Sequence, residues 1–184
     1  MDVPIVAITG YSDSGKTTLI EKLIPRLVAR GLKIGTIKHD THGFDLDHQG
    51  KDSYRHKRAG ASTTVIAAPH QIGMVKDVAT EPDLEELAEL YLSDVDLIVA
   101  EGYKGSRGPK IEVYRKGQRE RLFGRPKDGL IAVACDCEVE TEVPRFDLND
   151  VEAIADFIFL RFGFDKAAVS LSSAQNIADA RARK

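Results

Sequence analysis

The stretch "VPIVAITGYSDSGKTTL", residues 3–19, decides the fold of this 184-residue chain. Its first half is a continuous run of apolar and β-branched residues closed by Gly10, which is typical of a strand buried on both faces of a parallel sheet. From Lys16 onward apolar residues recur in pairs four apart, which predicts an amphipathic helix that Gly31 ends. "LKIGTIKHD", residues 32–40, predicts a second strand, so the chain opens with a right-handed strand–helix–strand unit.

The remaining segments continue the alternation of strands and helices. Further strands are expected over 62–68, 72–78, 95–102, 110–115 and 129–136, and helices over 54–61, 81–93 and 148–163. Asp52 or Ser53 is expected to cap the first of these helices. The pattern predicts a three-layer α/β P-loop fold whose mostly parallel sheet is flanked by helices, with a small added antiparallel strand pair. Residues 1–165 are expected to form one nucleotide-binding domain, and residues 166–184 a polar tail that is either disordered or an appended helix.

Residues 10–17 match the phosphate-binding pattern G-x-x-x-x-G-K-[ST] at every fixed position. In such a loop the glycines let backbone amides turn inward around an anion, Lys16 reaches the β and γ phosphates, and Thr17 ligates magnesium. The alternative, an ordinary glycine-rich turn, is disfavoured because the loop follows a buried strand and opens a helix. The predicted nucleotide-binding residues are Gly10, Tyr11, Ser12, Asp13, Ser14, Gly15, Lys16, Thr17 and Thr18.

A magnesium ion held by nucleotide phosphates also needs a carboxylate at the end of a neighbouring strand. "DLIVAEG", residues 96–102, supplies Glu101 there, whereas Asp96 lies at the opposite end; a solvated strand-end charge is the alternative reading of Glu101. Asp40 closes the second strand, where α/β sheets bind ligands. It can hold a magnesium-bound water or act as a general base toward a hydroxyl. Lys16, Asp40 and Glu101 are therefore the predicted catalytic residues.

The sequence contains no motif that specifies the base of the nucleotide. The guanine-specifying sequence [NT]-K-x-D is absent, and "IKHD", residues 37–40, lies on an early strand. Asp136 ends a late strand and is placed to accept hydrogen bonds from guanine N1 and N2, although a solvated loop aspartate fits the pattern equally well.

Residues 39–52 form a polar connection that is too long for an ordinary one, and they lie within a histidine-rich segment, residues 38–60. Histidine and aspartate side chains at this spacing can ligate a transition metal, and the alternative is a hydrated loop with local turns. Basic side chains in the same segment can receive a second anionic group or a partner protein. The predicted second-ligand or partner residues are His39, His42, Lys51, Asp52 and Ser53.

Composition excludes several classes of protein. The net charge of −3 argues against a general nucleic-acid binder. We find no signal-type segment and no run of about 18 apolar residues, so no membrane partner is expected and the location is expected to be cytoplasmic. The two cysteines, Cys135 and Cys137, are interpreted as reduced thiols because their spacing disfavours a bridge, and a functional metal pair is the alternative.

Three blocks, "GYSDSGKTTL", "IKHDTHGFDLDHQGKDSYRHKRAGA" and "DLIVAEGYK", together resemble the MobB family of molybdopterin-guanine dinucleotide biosynthesis. The resemblance covers roughly residues 3–160. It implies a GTP-binding, magnesium-dependent P-loop protein that is a homodimer with weak GTPase activity. It also implies that the protein assists the nucleotidyltransferase MobA, which joins GMP to the molybdenum cofactor; contact with molybdopterin itself is left open. The preference for guanine over adenine depends mainly on this resemblance.

Three other functions fit the residues. A small-molecule kinase would use Asp40 as base and Arg107 or Arg125 as phosphate clamps. A metal-delivery GTPase would bind its metal through His39 and His42. A non-enzymatic adaptor would use bound GTP only to order a partner surface.

Overall fold

The computed structural model describes residues 3–41, 43–44, 48–117 and 121–164. The chain divides into two compact units, the first formed by Met1–His39 with Leu84–Lys184 and the second by Asp40–Asp83. The expected domain limit at residue 165 and the nature of the tail stay predictions, since residues 165–184 lie outside the described part.

Eight strands and four helices make up the described structure. The strands are β1 (Ile5–Gly10), β2 (Ile34–Lys38), β3 (Thr63–Ala68), β4 (Gln71–Lys76), β5 (Leu97–Glu101), β6 (Lys110–Tyr114), β7 (Leu130–Cys135) and β8 (Arg145–Asp147). The helices are α1 (Lys16–Ala29), α2 (Asp52–Arg58), α3 (Leu84–Tyr91) and α4 (Val151–Arg161), and a short 3-10 turn covers Pro126–Asp128.

The first unit is built on a six-stranded parallel sheet in the order β2-β5-β1-β6-β7-β8. This sheet, its helices and the separate antiparallel pair confirm the predicted fold class. The strand β8 was missed by the sequence analysis. It has only three residues, two of them charged, so no apolar alternation marks it, and its pairing with β7 defines it instead.

One face of the sheet packs against α1 and α4 and forms the main core. Alternate strand residues such as Val6 and Ile8 point into it, together with fully buried Leu23 of α1 and Ile154 of α4. Arg30 links the two helices at the surface, where its Nη2 donates to Asp156 Oδ1 at 2.6 Å. This face is therefore fully occupied by helices.

The opposite face of the sheet carries residues of the other parity. Ala7 and Ala100 form a small buried cluster there with Leu84 at the start of α3. Lys110 and Glu112 of β6 share the parity of Ala7, and both are buried although charged. Charged groups on a central strand are uncommon, so this face differs chemically from the helix-covered one.

Helix α1 ends as the sequence predicts. The Gly31 amide donates to Val28 O at 2.8 Å and the Leu32 amide to Leu27 O at 3.3 Å, the two bonds of a Schellman motif. The expected cap of α2 is wrong, because Lys51 occupies the N-cap position and the helix already begins at Asp52. Both Asp52 and Ser53 therefore lie inside the first turn, where a carboxylate complements the helix dipole.

The second unit contains α2 and the β3–β4 hairpin. Val65 pairs with Met74 and Ala67 with Ile72 across the hairpin, so these four side chains share one of its faces. The opposite face, which carries Thr64, borders a cavity of about 470 Å³ within the same unit.

One further feature agrees with the sequence analysis. Cys135 and Cys137 are free thiols, as predicted, and Cys135 Sγ contacts Cys137 O at 3.1 Å. Within the described residues, no helix combines the length and apolar character that crossing a membrane requires.

Candidate functional site

The loop between β1 and α1 passes very close to the neighbouring strand. At Gly10, with φ 140°, a Cβ would lie 2.4 Å from Val113 O of β6 and 2.8 Å from Ser14 Oγ. No side chain fits at that distance from a backbone oxygen, so the first glycine of the pattern is required by packing as well as by its dihedral angle. Asp13, with φ 59°, makes a further left-handed turn that aspartate tolerates.

The interior of this loop carries polar groups that suit an anion. Lys16 Nζ donates to Tyr11 O at 2.7 Å, folding the ammonium group back over the loop. The Ser14 hydroxyl is buried without a hydrogen-bond partner among the described residues. Gly15 is the N-cap of α1, and no described side chain caps it. An anion at this helix end would meet amides that lack side-chain acceptors.

The electrostatics of the loop point the same way. Burial lowers the pKa of Lys16, and the positive charges of Lys104 and Lys38 lower it further, against the opposing effect of Glu101 and Asp13. A concentration of positive charge around a partly buried ammonium group disfavours its charged form. A bound anion would remove that penalty.

Thr17 and Glu101 are brought together as the sequence analysis expected. Thr17 Oγ1 donates to Glu101 Oε1 at 2.8 Å, across the gap between α1 and the end of β5. Asp96 lies at the other end of the strand, where its Oδ2 accepts from the Lys33 amide at 2.6 Å. A hydroxyl and a carboxylate side by side are hard oxygen donors, so their chemistry fits magnesium.

The ends of β2 and β5 hold His39 beside Glu101. The His39 amide donates to Glu101 O at 3.0 Å, and its ring lies 5.1 Å from the Tyr103 ring. Gly102 and Tyr103 both have positive φ, at 96° and 48°, which turns the chain sharply after the strand. Asp40 is the first residue of the second unit, and its catalytic role stays a prediction.

Asp136, the predicted base-recognising residue, lies in a bend directly after β7. Its Oδ1 accepts from the Lys116 amide at 2.9 Å, and its Oδ2 is 3.8 Å from Arg115 Nη1. Arg115 Nε in turn donates to Ser14 O at 3.0 Å. Arg115 thus connects the phosphate loop to the residue expected beside the base.

The sequence analysis derived no role for three cations around this site, although one of them, Lys104, belongs to the block "DLIVAEGYK" that carries the family resemblance. Lys38, Lys104 and Arg115 each lie at or just after the end of a strand, the position that also indicated Glu101. The same rule, applied to basic residues, would have found them. The Lys104 ammonium also lies 4.2 Å from the centre of the Phe123 ring, which contacts the Tyr11 ring at 3.8 Å.

The predicted second-ligand residues fall mainly in the second unit. Lys51 and Asp52 begin α2, and Ser53 lines the 470 Å³ cavity of that unit together with Lys57 and Arg58. His42 lies outside the described residues. Among those that are described, no group of three or more His, Cys, Asp or Glu side chains is placed to hold a metal ion. The histidine metal site stays a prediction.

Comparison with known proteins identifies the family. The family model MobB, described as molybdopterin guanine dinucleotide synthesis protein B, matches residues 5–136. The molybdopterin-guanine dinucleotide biosynthesis adapter protein of Escherichia coli (strain K12) is 40% identical over 163 residues, which cover 85% of this chain and 91% of that protein. Its counterpart of the same name from Haemophilus influenzae is 38% identical over 157 residues, covering 85% and 88%.

Solved structures agree with the sequence matches. A crystal structure of molybdopterin-guanine biosynthesis protein B superposes with a TM-score of 0.70 at 36% identity, covering 84% of this chain and 96% of that one. The family model spans well over half of this chain, and the relatives match over nearly their whole length. The chain therefore belongs to the MobB family.

Proposed function

We propose that this protein binds magnesium–GTP at residues 10–18 and acts as an adapter in molybdopterin guanine dinucleotide biosynthesis. The observation that carries the proposal is the loop between β1 and α1. It combines a helix end without a side-chain cap, a buried Ser14 hydroxyl without a hydrogen-bond partner among the described residues, and a Lys16 ammonium folded back onto Tyr11 O. The biosynthetic role is supported by family membership and by the names of the two relatives.

Each part of the loop has a distinct task in this proposal. Backbone amides at the start of α1 donate to phosphate oxygens, and the Lys16 ammonium leaves Tyr11 O to contact the β and γ phosphates. Arg115 holds the backbone of the loop through its hydrogen bond to Ser14 O. Thr17 and Glu101 would hold magnesium, which neutralises phosphate charge when bound.

Hydrolysis of GTP is expected to be slow. Asp40 is the candidate for orienting the attacking water, and we assign no arginine to the transferring phosphate. In GTPases, an arginine finger stabilises the negative charge that develops on the transferred phosphate, and this stabilisation contributes strongly to the rate. The protein is thus proposed to work chiefly by binding nucleotide rather than by turning it over.

Guanine recognition is assigned to Asp136. A carboxylate offers about four acceptor positions. One is used by the Lys116 amide, which leaves capacity for guanine N1–H and N2–H. Arg115 contacts both Asp136 and Ser14 O. This link supports the assignment, because it connects the residue proposed to bind the base to the loop proposed to bind the phosphates.

The proposed partners are a MobA-like nucleotidyltransferase and a second copy of this chain, with molybdopterin as a further ligand. The homodimer is supported by the β3–β4 hairpin, whose face bearing Val65, Ala67, Ile72 and Met74 leaves large apolar side chains exposed. An isolated hairpin is marginally stable in water, so a covering surface would stabilise it. The cytoplasmic location stays a prediction.

Calorimetric titration of the full chain with GTP and ATP, each with magnesium, tests the proposal. We expect GTP to bind more tightly, Lys16→Met to abolish binding, and Lys22→Met, on the exposed surface of α1, to leave it unchanged. Tighter binding of ATP would remove the guanine assignment. Binding that survives Lys16→Met would place the nucleotide elsewhere.

Single-turnover assays with and without the nucleotidyltransferase separate an adapter from an enzyme. An adapter binds GTP without appreciable turnover in either case. Rapid hydrolysis by the isolated chain would contradict the adapter role.

A further inference from the structure

The sheet face opposite α1 and α4 carries a cavity of about 380 Å³ next to the phosphate loop. Thr9 of β1 and Lys110 of β6 lie at its base. Its walls come from residues 104–107, which follow β5, and from the segment that precedes β7. Its size falls in the range of small-molecule sites.

Positive charge dominates the lining. Lys104, Arg107, Lys110 and Lys127 line the cavity, with Asp128 as the acidic residue among the lining groups. Lys110 is buried, and its Nζ donates to Asp128 O at 2.7 Å and to Lys104 O at 3.1 Å, so it holds the two walls together. The other three cations are exposed, and among them the Lys104 ammonium lies over the Phe123 ring. Such an excess of like charge in a concave site attracts anions.

Ser106 adds a specific donor to this positive lining. Its hydroxyl is buried and has no hydrogen-bond partner among the described residues, although the residue lines the cavity. A buried hydroxyl without a partner is unfavourable, because it has lost its hydrogen bonds to water. A ligand oxygen in the cavity would satisfy it.

The wall is held rigidly by a fully buried carboxylate. Glu112 of β6 accepts hydrogen bonds from the Phe123 amide at 2.9 Å and the Gly124 amide at 2.8 Å. These bonds hold the backbone that carries Phe123, and the Phe123 ring packs on the Tyr11 ring and offers an apolar surface beside the cations. The cavity thus has a preformed polar and apolar lining rather than a loose surface depression.

Lys104 connects the cavity to the phosphate loop. Its ammonium lies 5.6 Å from the Tyr11 ring centre, and its charge contributes to lowering the pKa of Lys16. Thr9 directly precedes Gly10. An anion in the cavity would therefore lie beside the nucleotide phosphates without occupying their loop.

We propose that this cavity is a second anion site that binds the phosphate group of a small phosphate monoester. The cations of the lining and its hydroxyl donor match the acceptor oxygens of a phosphate, and the Phe123 ring suits the organic part of the molecule. This site goes beyond the nucleotide binding proposed above and does not require it.

Titration with phenyl phosphate, and separately with inorganic phosphate, tests the site. The full chain is first saturated with magnesium and a non-hydrolysable GTP analogue, so that residues 10–18 are filled and no phosphate is released. If the analogue fails to bind, the nucleotide proposal fails, and the same titration is carried out on Lys16→Met. We expect phenyl phosphate to bind with one-to-one stoichiometry and more tightly than inorganic phosphate.

Variants at exposed positions locate the binding. Arg107→Gln and Lys127→Gln should each weaken phenyl phosphate binding about tenfold, as loss of one charge-assisted hydrogen bond predicts. Lys22→Gln serves as the matched control and should change nothing. Analogue affinity should stay within about twofold in all three, which separates this site from the phosphate loop.

Three results would overturn the proposal. The first is no phenyl phosphate binding to the loaded protein. The second is binding that the Arg107 and Lys127 variants leave unchanged. The third is that inorganic phosphate binds as tightly as phenyl phosphate, which would show that the site does not recognise the organic part of a monoester.

Discussion

Lys16 shows how a single residue can make nucleotide binding depend on pH. In the free protein, burial lowers its pKa below the ordinary 10.5. Phosphate placed next to the ammonium group favours the charged form and so raises that pKa. At a pH between the pKa of Lys16 in the free protein and its pKa in the complex, binding of the nucleotide is accompanied by uptake of a proton. The affinity for the nucleotide therefore falls as the pH rises through this range.

Proton uptake at Lys16 can be measured directly. Calorimetric titration with GTP in two buffers of different ionisation enthalpy should show protons taken up in that pH range. Lys16→Arg keeps the charge but cannot lose its proton there, so its uptake should vanish. Uptake that is unchanged in Lys16→Arg would assign the effect to another group.

Gly102 is a residue where backbone conformation limits substitution. Its φ of 96° lies in the left-handed region, and a Cβ would meet His39 Cβ at 3.2 Å. Gly102→Ala should lower the free energy of unfolding by about 1–2 kcal/mol, measured by urea denaturation. Gly105→Ala is the control, because nothing lies within 4 Å of its Cβ position and its φ is not in the left-handed region. Equal effects of the two substitutions would contradict the strain argument.

At the scale of elements, the segment between β6 and β7 depends on one buried side chain. The Glu112 carboxylate accepts both the Phe123 and Gly124 amides, and Phe123 packs on Tyr11 of the phosphate loop. Through Glu112, β6 therefore positions the segment that contains Phe123 and Gly124. Through Arg115, which directly follows the strand, it also holds the phosphate loop.

Glu112→Gln tests this arrangement with almost no change in volume. The amide nitrogen of Gln cannot accept, so at least one of the three hydrogen bonds from the Phe123 and Gly124 amides is lost and a second donor faces them. The free energy of unfolding should therefore fall by about 1–3 kcal/mol. Hydrogen exchange at residues 123 and 124 should become faster. The exposed Glu142→Gln is the control and should behave as the unaltered protein. Unchanged exchange at both amides would show that the carboxylate does not hold the loop.

At the scale of the whole molecule, the uncovered hairpin face is the feature that bears on assembly. Ile72 is 75% exposed and Val65 57% exposed. Large apolar side chains gathered on one face are rarely left in water.

Ile72→Asp should convert the proposed homodimer to a monomer, because a buried unpaired charge opposes association. Light scattering coupled to size-exclusion chromatography measures this. Leu160→Asp on α4, where the leucine is 76% exposed, is the matched control and should leave the dimer intact. A monomer in the unaltered protein, or a dimer that survives Ile72→Asp, would contradict the hairpin interface.

Features that depend on neighbouring residues could be predicted from the sequence. The run of residues 3–19 predicted a buried strand, a turning loop and a helix, because apolar periodicity and glycine placement act over a few residues. The end of α1 at Gly31 and the free thiols followed from equally local chemistry. The strand β8 was not predicted, because three residues carry little periodic signal. The start of α2 was predicted at the wrong residue, because the position of an N-cap depends on the backbone conformation of a single residue.

Tertiary structure decided which distant residues meet. The hydrogen bond from Thr17 to Glu101 joins residues 84 apart, and that from Arg115 to Ser14 joins residues 101 apart. The strand order places β5 and β6 on either side of β1, and this pairing brings both contacts and the cationic cavity to one part of the sheet. Sequence spacing cannot supply such a register, since side chains on separate strands meet only after the backbone hydrogen bonds between the strands have formed.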